Sequence, residues 1–429
     1  MSSMSFMEKL LDGFEVKWKP LVDVMASLKT GLNPRQNFQL NTSDAEGYYV
    51  TVREIQNGSV VFLDKTDRVN KMALELINNR SNLEVGDILF SGTGTVGRIA
   101  VVEKTPENWN IKEGVYVIKP IHQAIDSRYL AHLLNSQEIV KEYSKKIVGS
   151  PVISLPMSEL KKLQIPIPCP ENPEKSLEIQ LEIVRILDAF TELTAELTAE
   201  LTARKIQYNY YRDQLLSFEG GEVEWKTLGE VTLPTSNIRW RDIDRSYRYI
   251  DLTSVSRENN TIIETSEITA KNAPSRAQKL VEKDDVIFAT TRPTQLRLSL
   301  INEEYSGEVA STGYCVLRAK SDVILPKWIY YHLLSSKFGN YVEENQIGAA
   351  YPAISDTKVK EFKMPIPYPN DPEKSLAEQD SIVAILDKFD ALTNSISEGL
   401  PREMELRQKQ YEHYRDLLLS FSKPEEVGS

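Results

Sequence analysis

Six residues, Gly92-Thr93-Gly94-Thr95-Val96-Gly97, match the G-x-G-x-x-G pattern directly after a strand-like run, Ile88–Phe90. Such a loop cradles a dinucleotide or a methyltransferase cofactor when a helix follows, because the helix N-terminus supplies the backbone donors that hold it. Here Arg98-Ile99-Ala100-Val101-Val102 follows, which reads as a strand. The pattern therefore predicts a hairpin turn that leaves Thr93, Thr95 and Arg98 available to an outside ligand. The matching place later in the chain, Thr290-Thr291-Arg292-Pro293, has no glycine. It carries Thr291, Arg292, Gln295 and Arg297, side chains long and polar enough to reach base edges.

A second group is the segment Asn237 to Arg248, with Arg239, Arg241, Arg245 and Arg248 beside Trp240 and Tyr247. Guanidinium groups pair with guanine or with phosphate. The interleaved Asp242 and Asp244 equally fit a salt-bridged surface. Arg53 and Ser150 complete the candidate nucleic-acid contacts. Gly149-Ser150 and Gly348-Ala349 each let backbone approach a ligand closely or merely turn the chain.

Catalytic constellations are missing. His122, His132, His332 and His413 are scattered. His132 and His332 fall at matching positions of an amphipathic helix pattern and read as structural. No phosphate-binding lysine loop, zinc-protease helix motif, nucleophile elbow or Asn/Asp-Pro-Pro-aromatic tetrapeptide is found. Two cysteines, Cys169 and Cys315, exclude a disulfide framework and a cysteine zinc site, so no metal is expected. The composition is that of a soluble globular protein, and no run approaches the ~20 apolar residues that span a bilayer. Glu8, Asp12 and Glu15 argue against a signal peptide, so the expected location is the cytoplasm and no membrane is involved.

The net charge is −11, which opposes phosphate binding until its distribution is considered. Residues 171–230 hold 6 Lys+Arg against 13 Asp+Glu, and residues 370–429 hold 7 against 13. The rest of the chain is near neutral, with local arginine clusters.

The elements that position these residues come twice. Ile165-Pro166-Ile167-Pro168 and Asn172-Pro173-Glu174-Lys175-Ser176-Leu177 return as Met364-Pro365-Ile366-Pro367 and Asp371-Pro372-Glu373-Lys374-Ser375-Leu376. Tyr211-Arg212-Asp213 returns as Tyr414-Arg415-Asp416. Gly86–Phe90 pairs with Asp284–Phe288, and Tyr129–Ser136 with Ile329–Ser336, more faintly. One framework thus carries two diverged modules. After a prolyl, acidic linker, Ile179, Ile183, Ile186, Phe190, Leu193 and Leu197 mark a coiled-coil seam on a helix over 176–217, roughly 60 Å long. A second helix over 375–420 repeats it with Ile382, Ile385, Phe389, Leu392 and Ile396, interrupted near Gly399 and Pro401. The modules read as α+β, each alternating short strands with one helix. The tyrosines Tyr208, Tyr210, Tyr211, Tyr411 and Tyr414, with the apolar residues after them, fit either a core between the helices or a partner surface.

The Pro-Ile-Pro segments, the helix openings containing Gln180 and Gln379, and the tandem Thr194-Ala195-Glu196-Leu197 and Thr198-Ala199-Glu200-Leu201 resemble the specificity subunits of type I restriction-modification enzymes. The tandem points to the IC subfamily. The resemblance covers essentially the whole chain. It implies an α+β fold with two target-recognition domains separated by two long antiparallel coiled-coil helices, in a pseudo-two-fold, circular internal repeat. On that basis residues 1–170 form recognition domain 1, 171–220 the central spacer helix, 221–369 recognition domain 2 and 370–429 the C-terminal spacer helix.

The resemblance further implies double-stranded DNA with a bipartite site as ligand, one half read by each domain. Two modification subunits would carry S-adenosylmethionine and methylate adenine, and two restriction subunits would carry ATP and Mg. The chain itself would hold no cofactor and catalyse nothing. Two other readings remain open: a coiled-coil scaffold with two protein-binding modules, and a cofactor-dependent enzyme built on the glycine loop. DNA binding separates the first from a DNA reader, and nucleotide binding by the isolated chain separates the second.

Overall fold

The computed structural model describes residues 10–11, 13–35, 37–218, 222–395 and 397–422. Ile396, expected on the second seam, lies outside them. Contacts divide these residues into two units. One holds the residues up to Ala195 and those from Leu406 onward, the other Glu196–Glu405. The division falls inside the tandem Thr-Ala-Glu-Leu.

The first unit is built on an antiparallel sheet in the order Met25–Thr30, Val115–Pro120, Ile88–Ser91, Ile99–Val101. Its inner strands, Val115–Pro120 and Ile88–Ser91, are mostly apolar because both faces are covered. Ile88, Phe90 and Ile118 enter one core, while Leu89, Val115 and Val117 enter another, as the two-residue period of a strand dictates. The second unit repeats the order with Thr232–Leu233, Tyr314–Ala319, Val286–Ala289, Leu298–Leu300. Val286 and Phe288 again face one core and Ile287 and Ala289 the other.

The flanking sheets differ. Arg68–Val69, Gly47–Val50 and Trp109–Ile111 form three strands in the first unit, and the helix Lys71–Ser81 follows Arg68–Val69 in the chain. Ser266–Ile268, Tyr247–Ile250, Val309–Ser311 and Ala277–Leu280 form four in the second. In place of the expected single helix, each module has a tandem pair, Ser127–Leu134 with Gln137–Ser144 and Pro326–Leu334 with Ser336–Asn345, and the first module adds Lys71–Ser81. Ser335 caps the later helix by accepting from the Phe338 N–H, and Ser136 holds the same place without such a bond.

The prolyl segments are strands rather than linkers. Gln164–Pro168 pairs with Val16–Pro20, and Lys363–Pro367 with Val223–Thr227. Each ladder has only two strands, so a proline lacking its N–H costs no inner hydrogen bond.

The long helices begin as parts of the modules. The first is continuous over Pro173–Leu215, and Ile179, Ile183 and Leu187 are buried in the module core. Gln180 is wholly buried. Its Oε1 accepts from the Asp126 N–H at 2.9 Å, and its Nε2 donates to the Ala124 carbonyl and to Ser176 Oγ. Gln379 does the same in the second unit with the Leu325 N–H, the Val323 carbonyl and Ser375 Oγ. One amide thus satisfies both a donor and an acceptor just ahead of the module's helix pair. Leucine would fill the space and strand both groups, so Gln180→Leu is expected to cost about 2–4 kcal/mol, read as a lowered midpoint in thermal unfolding. An unchanged midpoint would show that the amide is dispensable.

The repeated aspartates have the same kind of work. Asp416 accepts from the Gln137 N–H, and Asp213 from the Ser336 N–H, each at the start of the module's second helix. The repeat Tyr-Arg-Asp is therefore a clasp between long helix and module. In the first unit Phe190 stacks on Tyr414, and in the second Tyr211 stacks on Phe389. Later residues of the first helix meet earlier residues of the second, the antiparallel order expected. Tyr208 is buried, while Tyr210, Tyr211 and Tyr414 remain exposed. The second long helix is interrupted as Gly399 and Pro401 predict, ending at Asn394 and resuming over Gly399–Leu418. Gly399 has φ +73°, and a Cβ there would lie 2.5 Å from the Ala391 carbonyl oxygen.

One sequence correspondence is out by a residue. Tyr129 OH donates to the Pro166 carbonyl, and Trp328 Nε1 donates to that of Pro365, so Trp328 rather than Ile329 matches Tyr129. The counterpart of His132 is then Tyr331, not His332. His132 bonds Asp188 Oδ1 at 2.9 Å through Nε2 and the Tyr411 hydroxyl at 2.9 Å through Nδ1. Tyr331 donates to Asp387 Oδ1 at 2.6 Å. His332 is buried beside Trp328 with Nε2 unpartnered, and burial pushes it down to about 3, so it stays neutral. The shared His-Leu-Leu drew the two helices into the wrong register.

The exchange of histidine for tyrosine leaves the Tyr208 hydroxyl, counterpart of Tyr411, buried without a partner. Tyr411→Phe is expected to destabilise by about 1 kcal/mol, whereas Tyr208→Phe should be neutral or stabilising. Equal losses on chemical denaturation of the two variants would refute the distinction.

Candidate nucleic-acid interface

The glycine loop is a hairpin turn. It joins the antiparallel strands Ile88–Ser91 and Ile99–Val101, so no helix N-terminus follows the glycines. Its counterpart in the second unit joins Val286–Ala289 to Leu298–Leu300 and is one residue longer. Ser91 N–H bonds the Arg98 carbonyl, and Ala289 N–H bonds that of Arg297. Arg98 and Arg297 therefore hold the same place. Thr93 and Thr291 also correspond, because both bridge a second loop, at Ser154 and Ala353.

That second loop contains the Gly-Ser and Gly-Ala pairs. Val148 and Ser154 exchange backbone hydrogen bonds at 2.8 Å, and Ile347 and Ala353 do so at 2.8 and 2.9 Å. Gly94 N–H donates to Ile153, and Arg292 N–H to Pro352. Two features that stand more than fifty residues apart in the sequence thus form one composite surface in each unit. It carries Thr93, Thr95 and Ser150 in the first, and Thr291, Arg292 and Gln295 in the second. Thr95, Ser150, Arg292 and Gln295 are exposed. The Arg292 guanidinium lies 5.9 Å from the Tyr351 ring centre.

Beside each composite surface lies a pair of arginines. Arg98 Nη1 donates to the Val52 carbonyl at 3.0 Å, next to Arg53. Arg53 itself is held by Asp67 at 3.0 Å. In the second unit burial lowers the Arg297 guanidinium, and the nearby Arg257 lowers it further, against the opposite pull of Tyr314 and Asp251. A guanidinium stays charged under these conditions. Arg257 escaped the sequence reading. It lies forty residues before Arg297 in an unremarkable stretch, and only the fold brings the two together.

The Arg239–Arg248 segment divides. Arg239 and Arg241 are exposed. Arg245 packs 3.8 Å from the Tyr247 ring centre and donates to the Gly307 carbonyl. Arg248 bonds Glu304 at 2.7 Å, neighbours Glu308 and lies over Tyr305. The structure therefore commits the Arg248 side chain to holding its own sheet.

The family described as the type I restriction modification DNA specificity domain matches residues 15–204 and again 222–406. The chain belongs to that family. The two matches coincide with the internal repeat, and they bear out the resemblance carried by the Pro-Ile-Pro and helix-opening motifs. Two Escherichia coli relatives of this specificity family are similar over nearly all of the chain. The EcoR124I/EcoR124II specificity subunit is 36% identical over 448 residues, covering 100% of both proteins. The EcoprrI specificity subunit is 32% identical, covering 93% of each. A chain from a solved type I restriction-modification system, 15% identical, shares the fold with a TM-score of 0.57 over 94% of this chain and 97% of that one. Among the described residues of this specificity subunit, no group of three His, Cys, Asp or Glu side chains could hold a metal, and no helix is long and apolar enough to cross a membrane.

Proposed function

We propose that each unit reads one half of an asymmetric, bipartite DNA site. The long helices fix the gap between the halves and dock the modification subunits, through which the restriction subunits join. In this reading the chain supplies sequence recognition and no chemistry. S-adenosylmethionine belongs to the modification subunit, and ATP and Mg to the restriction subunit.

The observation that carries the proposal is the repeated composite loop. One sheet order and one clasp recur in both units, yet the loops bear different polar residues. Thr93, Thr95 and Ser150 stand where the second unit has Thr291, Arg292, Gln295 and Ala349. A common scaffold with different tips suits two different base sequences. Arg98 and Arg297, which close the two hairpin turns, suit base edges, and the arginine beside each, Arg53 or Arg257, suits the phosphate backbone.

The test is methylation mapping. The chain would be co-expressed with a cognate modification subunit in cells lacking other adenine methyltransferases, and modified adenines located by single-molecule sequencing. The expected result is a split, asymmetric motif methylated in both halves and absent without this chain. A folded, partner-bound complex that methylates nothing would favour a protein scaffold instead.

A further inference from the structure

In both units the loop beside the hairpin presents two large apolar side chains to solvent. Val148 and Val152 are 57% and 62% exposed, and Ile347 and Tyr351 are 82% and 74% exposed. The pairs are equivalent, since each flanks a glycine of φ +100° or +102° inside the same closed turn. A Cβ at Gly149 would lie 2.4 Å from the Val152 carbonyl oxygen, and one at Gly348 would lie 3.0 Å from that of Tyr351. The turn is therefore tightly closed and held to the hairpin by its backbone. Its large apolar side chains face water beside the exposed Ser150 in the first unit and Ala349 in the second.

Hydrophobic side chains on a braced turn cost free energy in water, and here two diverged modules keep them at the same two positions. We propose that each pair is an apolar wedge that enters a DNA groove and presses on a base step, partly opening it. The inference rests on reading the modules as DNA-binding. The surroundings favour DNA over an apolar protein face. Thr93 and Thr291 are bonded into the same surface, and the Arg292 cation sits over the Tyr351 ring where a phosphate would complete it. Apolar side chains next to cations and hydroxyls are the recurring makeup of proteins that read and deform DNA together. Tyr351 is larger than Val152, so the second unit is expected to deform its half-site more.

The test uses the full chain assembled with its modification subunit and duplexes containing the mapped site. A second set of duplexes has one half-site scrambled, and 2-aminopurine reports unstacking in the half read by the second unit. The double variant Ile347→Ser/Tyr351→Ser should lower the preference for the intact second half-site by about tenfold or more, the worth of roughly one lost base contact. It should also lose the 2-aminopurine signal and leave binding to the scrambled duplex unchanged. Ile347→Val/Tyr351→Phe should retain the preference, and Val148→Ser/Val152→Ser should move the loss to the other half-site. A serine variant that assembles normally and discriminates like the parent overturns the wedge while leaving DNA reading intact. A serine variant that fails to bind the modification subunit makes the tip a protein contact and also overturns it. If the parent complex itself does not distinguish intact from scrambled halves, DNA reading falls and the wedge falls with it.

Discussion

Inserting a third Thr-Ala-Glu-Leu after Leu201 should transfer methylation to a site whose central gap is longer by about one base pair, with both half-sites unchanged. Four residues add one helical turn, ~6 Å of rise and ~40° of extra rotation. One base pair of B-DNA adds 3.4 Å and roughly 34°. The rotations agree within a few degrees, so a recognition tip moved by one unit again faces the groove one base pair further on. The remaining few ångströms of rise must be absorbed by modest bending of DNA or helix. The insertion point tolerates this. Leu193, Leu197 and Leu201 are only half-buried, and Ala195, Glu196, Ala199 and Glu200 are exposed, so the tandem belongs to no module core. Activity on the original site should fall by at least two orders of magnitude, because one unit would be out of register by a full base pair and each mismatched position costs about 1–3 kcal/mol. Methylation mapping of the insertion variant reads both effects. A changed half-site, or complete loss of methylation from a folded complex, would sink the ruler.

The framework was legible in the sequence because it is repeated and periodic. The spacing Ile179, Ile183, Ile186, Phe190 announced a long helix, and Gly399 with Pro401 announced the break in the second. The hairpin at Gly92–Gly97 was legible because a strand pattern follows it. Local pattern failed where one side chain has two possible uses. Arg248 reads the same in sequence whether it faces phosphate or Glu304, and its partner stands 56 residues away. The prolyl strands looked like linkers because proline disfavours strands in general, and only their edge pairing permits them. His132 was matched to His332 on residue identity, although the bonds of Tyr129 and Trp328 fix the helix register one residue away. Gly149-Ser150 and the glycine hairpin appeared as separate motifs because nothing local in either records the backbone bridges between them. Gln180 and Gln379 stood out by repetition alone. Their role in satisfying the backbone ahead of each module helix emerges only with the fold.

Arg297→Ala should relax discrimination at particular positions of one half-site and spare the other. Arg297 and Arg98 occupy the same place at the end of the two hairpin turns, yet the turns differ in length by a residue and in every glycine, so each arginine should serve its own half. A bidentate guanidinium–guanine contact is worth about 1–3 kcal/mol, roughly tenfold to a hundredfold in preference. The loss should appear as relaxed sequence choice at particular positions of the second half rather than as weaker binding overall. Arg98→Ala should give the mirror result in the first half. Arg257, which sits near Arg297 but outside the hairpin, should behave differently. Its removal is expected to weaken binding to all sequences alike and to reduce the salt slope by about one, the mark of a phosphate contact. Arg297→Lys should keep much of the general affinity while losing discrimination, because an ammonium lacks the planar fork. Competition binding against duplexes altered one position at a time, repeated at two salt concentrations, separates these outcomes. If Arg297→Ala weakens both halves equally and flattens the salt dependence, Arg297 contacts the backbone, and base recognition in the second unit must rest on Thr291, Arg292 and Gln295.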